Sequence, residues 1–103
     1  MFGTKVVDYK TIRSDFSFIE EYGYIYKTDV GGDWAAPSVL WSNGSKDIEV
    51  GYDRFSKKIF VYIHTDGTLR NGTDLLANME LVKNYKKQYE VVKEFLIDYL
   101  QKE

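Results

Sequence analysis

The chain has 103 residues, 44% hydrophobic and 29% charged, which is the composition of one folded domain and not of a disordered segment. Its net charge is −2, it has no cysteine, and it has a single histidine. Disulfides and cysteine nucleophiles are therefore excluded, and neither a zinc site nor a general nucleic-acid binder, which needs a basic field, is expected.

The first residues hold no apolar run of signal-peptide length, and no stretch approaches the ~20 apolar residues of a membrane span. The expectation is a cytoplasmic protein with no cofactor and no membrane association. Two Asn-Gly-Ser/Thr triplets, at Asn43 and Asn71, read as turns.

Residues 8–22 read as a helix. Tyr9, Ile12, Phe16, Ile19 and Tyr22 recur at spacings of three and four, and Gly23 follows as a C-terminal cap. Ser17 and Glu20 have capping-box spacing, so a start near Ser14–Ser17 is the alternative, with residues 4–9 as an extended arm. Residues 24–30 read as a first strand.

The segment Gly31-Gly32-Asp33-Trp34-Ala35-Ala36-Pro37 holds the only proline. Proline lacks a donor for a paired strand, so this segment is predicted to be a loop with the next strand starting at Ser38. It is not a phosphate loop, because the Gly-Lys-Ser/Thr ending and the following helix are missing. Trp41 is expected in the core. Trp34 is freer, either covering the sheet edge or anchoring a partner.

Three strands follow. "SVLWS" leads into Asn43-Gly44, a strong hairpin signal. "KDIEVGY" and "KIFVYIH" both alternate with period two. Taking Asn43-Gly44 as the two turn residues places Val39 opposite Ile48 and Leu40 opposite Asp47. Taking residues 54–57 as the second loop places Asp53 opposite Lys58, Val50 opposite Val61 and Ile48 opposite Ile63. One face then carries Val39, Trp41, Ile48, Val50, Tyr52, Ile59, Val61 and Ile63, the expected core. The other carries Leu40, Asp47, Glu49, Gly51, Phe60, Tyr62 and His64, and the Phe60 ring is positioned to cover the bare backbone of Gly51.

Residues 66–72 read as loop. Thr73 or Asp74 then caps a helix to about Gln101, with the stripe Leu75, Met79, Val82, Tyr85, Tyr89, Val92, Leu96 and Tyr99. At 1.5 Å per residue it would be about 42 Å long, against ~23 Å for a seven-residue strand, so either the helix breaks, between Asn78 and Asn84, or it overhangs the sheet. The fold class is thus α+β: an N-terminal helix, a four-stranded antiparallel β-meander and a long C-terminal helix, both helices on one sheet face.

The candidate site is the opposite face. Leu40, Phe60 and Tyr62 are apolar or aromatic, flanked by Asp47 and Glu49, which is the composition of a protein interface. In this register His64 lies opposite Asp47 and Glu49 opposite Tyr62. These four residues offer an acid/base pair, but a flat sheet face supplies no pocket to exclude water.

The segments "DFSFIEEYGYIY", "SVLWSNG", "IEVGYD" and "IFVYIH", within residues 14–64, resemble small bacterial α+β proteins of the immunity-protein type, which neutralise toxins of neighbouring cells. That resemblance implies a binder without catalysis. Those proteins share no catalytic motif, so no functional residue carries over. The expected function is a small non-catalytic interaction protein that binds a protein partner through Leu40, Asp47, Glu49, Phe60, Tyr62, His64 and Trp34. The alternative is a homodimer joined by two outer faces. A ligand binder or enzyme using Asp47, Glu49, Tyr62 and His64 ranks below both.

Overall fold

The computed structural model describes residues 7–32, 35–65, 68–71 and 84–102. Asp8 starts the first helix, α1 (Tyr9–Asp15): its carboxylate accepts the Thr11 N–H at 2.9 Å and the Thr11 hydroxyl at 2.8 Å. These bonds hold the Asp8 carboxyl below its ordinary pKa, the backbone bond contributing most. The chain leaves helical geometry at Phe16 (φ −104°, ψ 15°) and continues as a 3-10 helix, Ser17–Tyr22. Gly23 ends that helix with φ 90°, the left-handed value glycine adopts freely. The helix expected over 8–22 is therefore two segments, with the start at Asp8. The 3-10 geometry keeps the expected face, since Ile12, Phe16 and Ile19 are all fully buried.

The strands are β1 (Ile25–Val30), β2 (Ser38–Ser42), β3 (Lys46–Asp53), β4 (Lys58–Thr65) and β5 (Thr68–Asn71). They form one antiparallel sheet in chain order. The sheet has five strands where four were expected, because residues 68–71, read as loop, pair with Tyr62–Thr65. The pairing of Thr65 with Thr68 leaves two residues between them, the spacing at which Asp-Gly signals a hairpin. Four residues are too few for alternation to register as a strand.

The β3–β4 register is the expected one throughout, from Asp53 opposite Lys58 to Asp47 opposite His64. The β2–β3 register differs by two residues: Val39 faces Val50, Leu40 faces Glu49 and Trp41 faces Ile48. The cause is Asn43. Its side chain accepts the N–H groups of Ser45 (2.9 Å) and Lys46 (2.7 Å), and its own N–H donates to Lys46 O at 3.0 Å. The turn is thus centred on Gly44-Ser45, with positive φ at Gly44 alone (96°), the pattern of a type II′ hairpin. A shift of two preserves which face each side chain takes.

That conserved parity explains the core. Val39, Trp41, Ile48, Val50, Ile59, Val61 and Ile63 are buried against Ile12, Phe16, Ile19 and the second helix. The described residues of the 31–37 segment lie outside any strand or helix, and β2 begins at Ser38, as Pro37 requires. Trp41 is fully buried, and its indole N–H donates to Glu20 Oε2 at 3.1 Å.

The second helix, α2, spans Tyr85–Gln101. Asn84 caps it, accepting the N–H of Lys86 at 2.9 Å, at the C-terminal limit of the predicted break. Leu75, Met79, Val82 and the caps at Thr73 or Asp74 lie outside the described residues. Val92, Leu96 and Leu100 bury the inward stripe. Both helices lie on the same sheet face, locked through Asp15: Tyr85 donates to its carboxylate at 2.8 Å and Tyr89 to its backbone carbonyl at 2.9 Å. Burial, then the Asp15 bond, pushes the Tyr85 hydroxyl pKa far up, so it remains a donor at any accessible pH.

Gln88 is the one position on the inward face of α2 where the pattern predicts nothing. It is 1% exposed. Its Oε1 accepts the buried Ile59 N–H at 2.8 Å and its Nε2 donates to Lys57 O at 2.8 Å. Among the described residues the β5 ladder pairs Tyr62–Thr65, and at the start of β4 this amide pairs with the backbone of Lys57 and Ile59.

Candidate functional site

The face opposite the helices is built from three cross-strand rows. They run Ser38–Gly51–Phe60, Leu40–Glu49–Tyr62 and Ser42–Asp47–His64. All six expected site residues in the described chain stand on this face, while Trp34 lies outside the described residues. Leu40, Asp47, Glu49, Phe60, Tyr62 and His64 are each half-buried. Among the described residues, no helix lies over them.

The two-residue change in register alters the neighbours. Leu40 was expected beside Asp47, and it stands beside Glu49 instead. Glu49 is thus flanked along its row by Leu40 and Tyr62, so one carboxylate sits inside the apolar patch and not at its rim. Its Oε2 accepts the hydroxyl of fully buried Ser38 at 2.9 Å. Its Oε1 lies 3.6 Å from His64 Nε2, on the diagonal between neighbouring rows. That nitrogen is buried and has no hydrogen-bond partner among the described residues, although the His64 side chain as a whole is 34% exposed. At 3.6 Å the pair is an electrostatic contact, not a hydrogen bond.

Phe60 and Tyr62 pack ring to ring at 5.3 Å, tilted by 46°. Phe60 also lies over Gly51, where an added Cβ would collide with both the ring and the Ser38 Cβ. The aromatic half of the face is therefore fixed in place by a residue with no side chain.

Ser, His and a carboxylate come together here, but in the wrong order for a nucleophile. A catalytic relay puts the imidazole between the hydroxyl and the acid. Here Glu49 stands between Ser38 and His64, so the imidazole does not face the hydroxyl. Among the described residues, no three His, Cys, Asp or Glu side chains gather as a metal site would need. A shallow depression of about 310 Å³ exists elsewhere, where Phe95, Asp98 and Tyr99 of α2 and Lys102, just past its end, meet Lys46 of β3. None of the outer-face residues lines it.

Sequence reasoning missed one member of the site, Ser38, and one feature of another, His64. Ser38 was read only as the start of β2. Its side chain shares the face of Leu40 by alternation, and this was the available signal. The burial of His64 Nε2 has no signature in sequence.

The chain matches no protein-family model, no curated protein and no solved structure.

Proposed function

We propose that this chain is a non-catalytic binding module whose outer sheet face takes a protein partner with a basic surface. The observation that carries this reading is the row Leu40–Glu49–Tyr62, a half-buried carboxylate between apolar neighbours. A charge surrounded by groups that exclude water is the arrangement in which a partner's arginine or lysine gains most. Asp47 adds a second negative charge one row away and favours encounter with a cationic partner. A cytoplasmic immunity-like or regulatory binder would have this design.

A homodimer through the same face is disfavoured by charge. Two-fold pairing of the face on itself would bring the Asp47 and Glu49 carboxylates of both copies together.

The test is a pull-down with the wild-type chain beside Tyr62→Glu, accompanied by sedimentation at micromolar concentration. The expected result is a stoichiometric basic partner held by the wild type and lost by a variant that still folds. A variant that unfolds would show that Tyr62 is core. Wild-type self-association lost in the variant would establish the dimer instead.

A further inference from the structure

The turn between β2 and β3 exposes Asn43, Gly44 and Ser45. An asparagine followed by glycine is chemically labile. The backbone nitrogen after the asparagine can attack the side-chain carbon, and glycine has no Cβ to obstruct the approach. The sequence holds a second such pair, Asn71-Gly72.

The geometry at Asn43 goes beyond the dipeptide. Its Oδ1 accepts two backbone N–H groups, from Ser45 at 2.9 Å and from Lys46 at 2.7 Å. Attack on the side-chain carbon turns this oxygen into an oxyanion. Two fixed N–H donors aimed at a carbonyl oxygen are the arrangement that stabilises one. The same bonds hold the amide in one orientation, so its rotation is frozen before any reaction. The Gly44 N–H donates to Ser42 Oγ at 3.2 Å, outside the β2–β3 ladder, so loss of its proton breaks no strand pairing. Among the described residues, no atom beyond the chain neighbours lies within 4 Å of where a Gly44 Cβ would stand, which leaves the turn open to water.

We infer that Asn43 is a site of self-catalysed deamidation, promoted by the folded turn. The Gly44 nitrogen gives its proton to hydroxide and bonds to the Asn43 side-chain carbon. The bond from that carbon to the amide nitrogen breaks, and the nitrogen takes a proton from water and leaves as ammonia, which regenerates the hydroxide. Water then opens the resulting cyclic imide at either carbonyl and leaves an aspartate or an isoaspartate at position 43. Nothing is oxidised or reduced; a water is consumed and an ammonia released.

The two products differ in their effect on the sheet. Aspartate keeps an oxygen acceptor at the side chain. Isoaspartate routes the main chain through the former side chain, so the oxygen that held Ser45 and Lys46 becomes a main-chain carbonyl. The latch that fixes the β2–β3 rows is then lost, and with it the placement of Leu40 opposite Glu49.

The test is incubation of the chain at mildly alkaline pH, folded and unfolded in guanidinium chloride, followed by peptide mapping by mass. Asn43 should react about tenfold faster in the folded chain than in the unfolded one, because the folded turn supplies the two donors. Asn71, paired with Tyr62 in β5, should show no such gain. Asn43→Gln, whose imide would be a larger ring that closes slowly, should abolish the reaction at this position and leave Asn71 unchanged. The isoaspartate fraction of aged wild type, identified by enzymatic isoaspartate methylation, should unfold at a lower urea midpoint than fresh chain. Asn43→Asp, which keeps the acceptor, should unfold close to the wild-type midpoint. Equal or slower reaction of Asn43 in the folded chain would overturn the inference. So would an equal gain at Asn71, which would trace the difference to the denaturant. An isoaspartate fraction with the urea midpoint of fresh chain would overturn the role of the latch.

Discussion

Gln88 offers the sharpest test of how the helix and sheet are joined. Replacement by leucine keeps the volume and removes both hydrogen bonds. The Ile59 N–H, buried and 2.8 Å from Gln88 Oε1, would lose its acceptor. An unsatisfied buried donor costs about 1–3 kcal/mol. The Lys57 carbonyl is only partly buried, so water can replace its lost donor at about 0.5 kcal/mol. Leucine offsets about 1 kcal/mol by burying apolar surface. The expected net loss is about 1.5 kcal/mol, or on the order of 10 °C in Tm for a domain of this size. Urea unfolding should show a lower midpoint with an unchanged slope. Gln88→Glu adds a signed test. A carboxylate there still accepts from Ile59 but repels the Lys57 carbonyl, so burial and that carbonyl raise its folded pKa. The stability of this variant should be highest below the unfolded glutamate value of about 4.3 and fall as pH rises through the folded value. A leucine variant within about 0.5 kcal/mol of wild type, or a glutamate variant with no added pH dependence, would refute the reasoning.

Gly51→Ala should cost about 1–3 kcal/mol through collision with the Phe60 ring and Ser38. A double-mutant cycle with Phe60→Ala, read by thermal melting, should recover part of that loss. Asp8→Ala should cost about 1 kcal/mol as a lost helix cap, measured by urea midpoint. The Asp8 carboxyl has a lowered folded pKa, so its contribution is present above the unfolded value of about 3.9 and is lost as pH falls through the folded one. Asp8→Asn, which retains an acceptor at the cap, should flatten that acid limb. An unaltered acid limb in the asparagine variant would remove Asp8 from the account.

What was legible in the sequence was parity and period. Alternation in β3 and β4 assigned every side chain from Asp47 to His64 to its observed face, and the Asp53–Lys58 pairing located the register. The β2–β3 rows were not legible from the same kind of signal. Asn43-Gly44 marks a turn but does not say which two residues are central, and the choice depends on where the Asn43 side chain bonds. The fifth strand was hidden by its length. The role of Gln88 was hidden because a buried amide in a helix has no periodic signature, and its partners are backbone groups 29 and 31 residues away.

The register difference bears directly on function. With Leu40 beside Asp47, both carboxylates would fringe an apolar patch, and the face would suit a partner with an apolar centre. With Leu40 beside Glu49, an acid lies between two apolar side chains and is held by the Ser38 hydroxyl. Such a carboxylate is already partly desolvated and oriented before any partner arrives, so less is lost on binding. Under the proposed function the specificity would then shift from shape toward charge: a partner offering a guanidinium to this row would be accepted, and one offering leucine would leave a carboxylate buried and unpaired, at a cost of several kcal/mol. For the binding face proposed above, two residues of turn geometry, set by the side chain of Asn43, would thus decide which class of partner is selected.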